Sequence, residues 1–86
     1  MDKITIYDKE NRIIQKDNMS LFVKIVYEKA NKAAYSLSHN YKRQNQRIEI
    51  CIDENTGNYN MRFFKCTAKY AYDFKSLFRQ KLKHNY

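Results

Sequence analysis

Gly57 is the only glycine in this 86-residue chain, which contains no proline. Glycine adopts a positive φ without steric cost, so Gly57 marks the place where the backbone can reverse most tightly. Two strand-like stretches flank it. Arg47-Ile48-Glu49-Ile50-Cys51-Ile52-Asp53 alternates apolar and polar residues, which puts Ile48, Ile50 and Ile52 on one face of a strand. After the turn at Asn55-Thr56-Gly57, Tyr59-Asn60-Met61-Arg62-Phe63-Phe64-Lys65 reads as the returning strand.

A similar pattern opens the chain. Ile4-Thr5-Ile6-Tyr7 alternates, Asp8 to Asn11 reads as a turn, and Arg12-Ile13-Ile14-Gln15 reads as its return strand. Asn11 is suited to the left-handed position of such a loop. Each hairpin precedes a helical pattern. Between Asp17 and about Tyr41, the residues Phe22, Ile25, Val26, Ala30, Ala33, Ala34 and Leu37 recur at three-and-four spacing. Asp17, Asn18 or Ser20 can cap its start. From Thr67 onward, Ala68, Ala71, Phe74, Leu77, Phe78 and Leu82 repeat the pattern. The expected fold is α+β in ββαββα order, a single domain over residues 1–86. Its simplest packing is a four-stranded antiparallel sheet with both helices on one face. The other face then carries Thr5, Tyr7, Glu49, Cys51 and alternate residues of the last strand.

The chain is 43% hydrophobic and 15% aromatic, enough apolar material for one small core. No apolar run reaches the length of a membrane span, and Met-Asp-Lys does not begin a secretion signal, so a soluble, cytoplasmic protein without membrane contact is expected. Cys51 and Cys66 should remain free thiols. With both on strands paired around Gly57, about five residues separate them, roughly 16 Å at about 3.3 Å per residue. A disulfide needs Cα atoms within about 7 Å.

Charge narrows the function further. Residues 1–28 hold five basic and five acidic side chains, whereas residues 29–86 hold twelve Lys or Arg against Glu49, Asp53, Glu54 and Asp73. The whole net charge of +8 therefore belongs to the later part of the chain. A field of that kind gathers polyanions. The candidate contacts for nucleic acid or a partner are Lys42, Arg43 and Arg47 in the connection after the first helix, Arg62 and Lys65 on the last strand, and Lys69, Arg79 and Lys83 on the final helix. In that last group, Asp73 lies one helical turn from Lys69 and would offset it. Tyr59, Tyr70, Tyr72 and Tyr86 lie among these cations, where exposed rings can stack on bases.

Catalytic chemistry finds little support. His39 and His84 have no acid–base neighbours, and His39 near the end of the first helix reads as a solvent-facing residue. Glu49 and Asp53 are too far apart along a strand to share a proton. There is no closely spaced Cys/His zinc pattern, no phosphate-binding glycine loop and no serine nucleophile elbow. The expectation is a protein with no cofactor, no metal and no catalytic residue. RNP-type strand signatures, a GXXG loop and a helix-turn-helix pattern are also missing.

One segment carries a family resemblance. Met19-Ser20-Leu21-Phe22-Val23-Lys24-Ile25-Val26-Tyr27-Glu28-Lys29-Ala30-Asn31-Lys32-Ala33-Ala34, about a fifth of the chain, resembles a helical segment of small phage and mobile-element proteins, anti-CRISPR proteins among them. The resemblance implies a non-enzymatic inhibitor that occupies a surface of a nucleic-acid-dependent host machine, such as a ribonucleoprotein or nuclease complex. It carries over no site residue. Many such inhibitors are acidic mimics of DNA, and this chain is basic, so it would have to bind acidic protein surface, guide or target nucleic acid, or the assembled complex. Direct, sequence-independent DNA or RNA binding is the alternative. Self-association as a homodimer through the exposed sheet face or an edge strand is the third.

Overall fold

The computed structural model describes residues 3–41 and 46–83. The order of elements is β1 (Lys3–Tyr7), a short 3-10 turn (Lys16–Asn18), α1 (Leu21–Ser38), β2 (Arg47–Ile52), β3 (Tyr59–Phe64) and α2 (Ala68–Lys83). The three strands form one sheet in the order β1-β2-β3. β2 pairs antiparallel with β3 but parallel with β1.

This corrects the expected ββαββα order and its four-stranded antiparallel sheet. The segment expected as a second strand, Arg12–Gln15, makes only a single antiparallel bridge, Tyr7 to Ile13, with the Ile14 amide donating to the Ile6 carbonyl at 2.9 Å. Arg12-Ile13-Ile14-Gln15 does not alternate, and Ile13 is left more than half exposed. With only Ile14 packed against the core, the segment leaves the sheet at the 3-10 turn and enters α1. The chain between β1 and β2 then acts as a helical crossover, the connection that a parallel pair requires.

The loops behave as their residues dictate. Asn11 adopts φ 65° and Gly57 φ 79°. The Gly57 amide donates to the Asp53 carbonyl at 2.8 Å, and the Asp53 amide to the Asn58 carbonyl at 2.9 Å, closing the β2–β3 hairpin. Lys65 also has positive φ, at 60°, and makes the bend between β3 and α2. That bend places Cys66 past the end of β3 instead of on it. Cys51 and Cys66 are both free thiols.

Ile4, Ile6, Ile48, Ile50 and Ile52 line one side of the sheet, and both helices pack into the same core. Ser20 caps α1 by accepting from the Val23 amide, and its hydroxyl donates to Glu54 at 2.6 Å. α1 buries Val23, Val26, Ala30, Ala33, Ala34 and Leu37. The expected core residue Phe22 is displaced by Val23 and remains 37% exposed. α2 buries Tyr70, Phe74 and Phe78, while Ala68 is exposed and Ala71, Leu77 and Leu82 are half-buried. Tyr70, which lies in sequence among the cations, is 1% exposed and so offers no ring for stacking. An aromatic column joins α2 to β3, with Phe63 edge-on to Phe74 at 5.8 Å and Tyr59 edge-on to Phe78 at 5.4 Å. Such pairs add about 0.5–1.5 kcal/mol each beyond area burial.

Two truncations separate core from rim. Phe74→Ala is expected to cost about 3–5 kcal/mol, the range for a fully buried phenylalanine. Phe22→Ala should cost about 1 kcal/mol or less, because much of its ring already meets water. Urea unfolding followed by circular dichroism measures both, and equal losses would contradict the assigned core.

Candidate nucleic-acid interface

The strand register sorts the remaining side chains onto the uncovered face of the sheet. Three cross-strand rows form there: Lys3, Arg47 and Phe64; Thr5, Glu49 and Arg62; Tyr7, Cys51 and Asn60. Each row alternates with a row of buried isoleucines on β1 and β2 that continues into half-buried Phe63, Met61 or Tyr59 on β3, so one pattern produces both the core and this surface.

Glu49 organises the face. Its carboxylate accepts from the Arg62 Nε at 3.0 Å and from the Tyr7 hydroxyl at 3.1 Å, and the Arg47 guanidinium lies 3.9 Å away. Arg62 also donates to the Asn11 side-chain oxygen at 3.0 Å. The left-handed turn at Asn11 is thereby linked to β3. Each guanidinium lies over a ring, Arg47 at 4.7 Å from Phe64 and Arg62 at 5.2 Å from Tyr7. The Glu49 side chain is 15% exposed, against 53% for Arg47 and 42% for Arg62. The carboxylate thus lies beneath its cations, and the surface offered to solvent is positive. Arginine has five N–H donors, so each guanidinium retains donors beyond those used on the protein.

Partial burial raises the Tyr7 hydroxyl above the usual tyrosine value of 10.0, and the hydrogen bond to Glu49 adds to the rise; the neighbouring arginines pull the other way. The phenol is therefore a proton donor to Glu49 throughout the physiological range. Tyr41 is raised as well, first by its 2.5 Å hydrogen bond to Asp73 and then by burial.

The expected contact residues divide between regions. Arg47 and Arg62 are brought together through Glu49. Lys65 is exposed at the bend following β3, and Lys69 is exposed in the first turn of α2. Arg79 and Lys83 are exposed one turn apart on α2, with Lys75 a turn earlier on the same stripe. Lys42 and Arg43 lie outside the described residues. Asp73 is engaged by Tyr41 and forms no ion pair with Lys69. Of the tyrosines expected among these cations, Tyr72 is exposed, Tyr59 and Tyr70 pack against α2 aromatics, and Tyr86 lies outside the described residues. Residue type alone did not single out Lys3 and Phe64. Continuing the β1 alternation back to Lys3, and the β3 alternation forward to Phe64, places both on the face.

His39 is exposed at the end of α1, edge-on to Tyr35 at 5.1 Å. Among the described residues, no group of three or more His, Cys, Asp or Glu side chains is arranged to hold a metal ion. No described helix is long and apolar enough to cross a membrane. Comparison with known protein families, curated proteins and solved structures finds no match.

Alkaline titration tests the Tyr7–Glu49 contact. The folded-state value exceeds the unfolded one, so the contribution of Tyr7 to stability is complete below pH 10 and is lost as pH rises through the folded value. Absorbance at 295 nm should show late-ionising tyrosine, with Tyr7→Phe removing part of it and Tyr41→Phe another part. An unchanged late component in Tyr7→Phe would contradict the hydrogen bond.

Proposed function

We propose that this chain is a non-enzymatic, cytoplasmic binding protein whose open sheet face takes a strand of nucleic acid, free or within a nucleoprotein complex. The observation that carries this reading is the pair of half-exposed arginines, each laid over an aromatic ring, above a single covered carboxylate. Lys3 continues the positive strip across β1. Phosphates would meet Arg47, Arg62 and Lys3, where guanidinium groups bind oxygen pairs in a fixed fork. The exposed part of Phe64 and the side chain of Asn60 supply a stacking surface and a hydrogen-bonding group for bases or sugars. A shallow face of this kind suits a single strand with splayed bases better than a duplex groove.

The inhibitor reading is compatible with this surface but draws no site from its resemblance. In the segment 19–34, Val23, Val26, Ala30, Ala33 and Ala34 are core residues, so much of the likeness concerns packing. An inhibitor of a nucleic-acid-dependent complex would use the sheet face to compete for guide or target strands.

Fluorescence anisotropy with a labelled 12-nucleotide oligothymidine tests the proposal. Three neutralised phosphates give a log–log salt slope of about −2 on a single strand. Arg47→Gln with Arg62→Gln should weaken binding about tenfold or more and flatten the slope. Glu49→Gln should strengthen it, because a negative charge is removed from beneath the cations. A flat wild-type slope would reject nucleic-acid binding. Unchanged affinity in the double variant would move the site to the α2 stripe.

A further inference from the structure

The outer edge of β3 presents a second surface, independent of the sheet face. The hydrogen bond from the Asp53 amide to the Asn58 carbonyl identifies that pair as closely bonded, and antiparallel bonding repeats at every second pair. Asn60, Arg62 and Phe64 therefore direct their backbone groups toward β2. Tyr59, Met61 and Phe63 direct theirs outward. β3 is a terminal strand, and among the described residues no backbone or side-chain partner meets those outward groups. The other terminal strand, β1, is partly covered by the Tyr7–Ile13 bridge.

A groove of about 250 Å³ runs along this edge, lined by Tyr59, Asn60, Met61, Lys75 and Arg79. The Lys75 ammonium lies 5.6 Å from the centre of the Phe63 ring, so α2 holds its cations close beside the strand. No acidic residue lines the groove. We propose that the β3 edge accepts an extended acidic segment of a partner protein as a fourth strand, its backbone bonded to Tyr59, Met61 and Phe63 and its carboxylates paired with Lys75 and Arg79. Charge complementarity selects this occupant. Pairing with a second copy would place Lys75 and Arg79 of two chains, each of net charge +8, against one another. Strand addition draws affinity from main-chain bonds and selectivity from alternate side chains, and the groove supplies both elements.

The probe is a seven-residue capped peptide of alternating Glu and Val, compared with its Gln/Val counterpart and with the Glu/Val peptide N-methylated at every backbone nitrogen. In amide NMR spectra of the full chain, the Glu/Val peptide should shift Tyr59, Met61 and Phe63 and slow their hydrogen exchange. Lys75→Glu with Arg79→Glu should weaken binding about tenfold, and the Gln/Val peptide should bind less tightly by a similar factor. The N-methylated peptide should not bind. Three results would overturn the proposal: no binding of the Glu/Val peptide, equal binding of its N-methylated form, or a dimer in sedimentation whose β3 edge amides are already protected. Oligothymidine shifting these edge amides in place of the open face would overturn it too. The three peptide and sedimentation outcomes do not depend on whether nucleic acid binds the sheet face.

Discussion

Everything in this molecule is referred to β2, the strand paired along both of its edges. Ile48, Ile50 and Ile52 are at most 1% exposed, and burying an isoleucine is worth about 1.5–3 kcal/mol. Their burial fixes which way β2 faces, because a slip of one residue would send all three into water. Arg47, Glu49 and Cys51 must then face outward. The parallel neighbour β1 aligns Lys3, Thr5 and Tyr7 with them, and the antiparallel neighbour β3 aligns Phe64, Arg62 and Asn60. The charged network is a consequence of core packing on the opposite side.

Within that frame, Glu49 has two effects. It lowers the net charge of the face, yet it also orders two long side chains, so that the proposed phosphate contact would cost them less rotamer freedom. Exposed ion pairs contribute little to folding stability, typically up to about 1 kcal/mol. Their value here is positional, since the rings of Phe64 and Tyr7 and the carboxylate together hold each guanidinium over the sheet. The β3 edge draws its cations from a different element, α2, and reaches backbone groups that the sheet face does not.

The strands and helices were readable from periodicity because burial on one side leaves a period of two or of about 3.6. Gly57 and Asn11 were readable because few residues tolerate their backbone angles. Strand direction was not, since alternation looks the same read either way. Parallel pairing of β1 depended on the failure of Arg12–Gln15 to form a strand. Phe22 and Val23 both fit the spacing that ends at Val26, and the choice rested on where α1 meets the sheet. Tyr70 could have been placed, as it precedes Phe74 and Phe78 at intervals of four; it lies in sequence among cations, but its ring belongs to the core. For the interface, alternation located Tyr7 and Glu49 on the open face. The joining of Arg47 to Arg62 needed the register, which shifts with the exact closure of the hairpin.

Mapping bound oligothymidine by amide and arginine side-chain NMR shifts tests the central claim most directly. The account predicts that the largest changes fall on the Nε–H groups of Arg47 and Arg62 and on the amides of Lys3, Thr5 and Phe64, with α1 unaffected. Changes confined to α2, with both arginine side chains undisturbed, would contradict it.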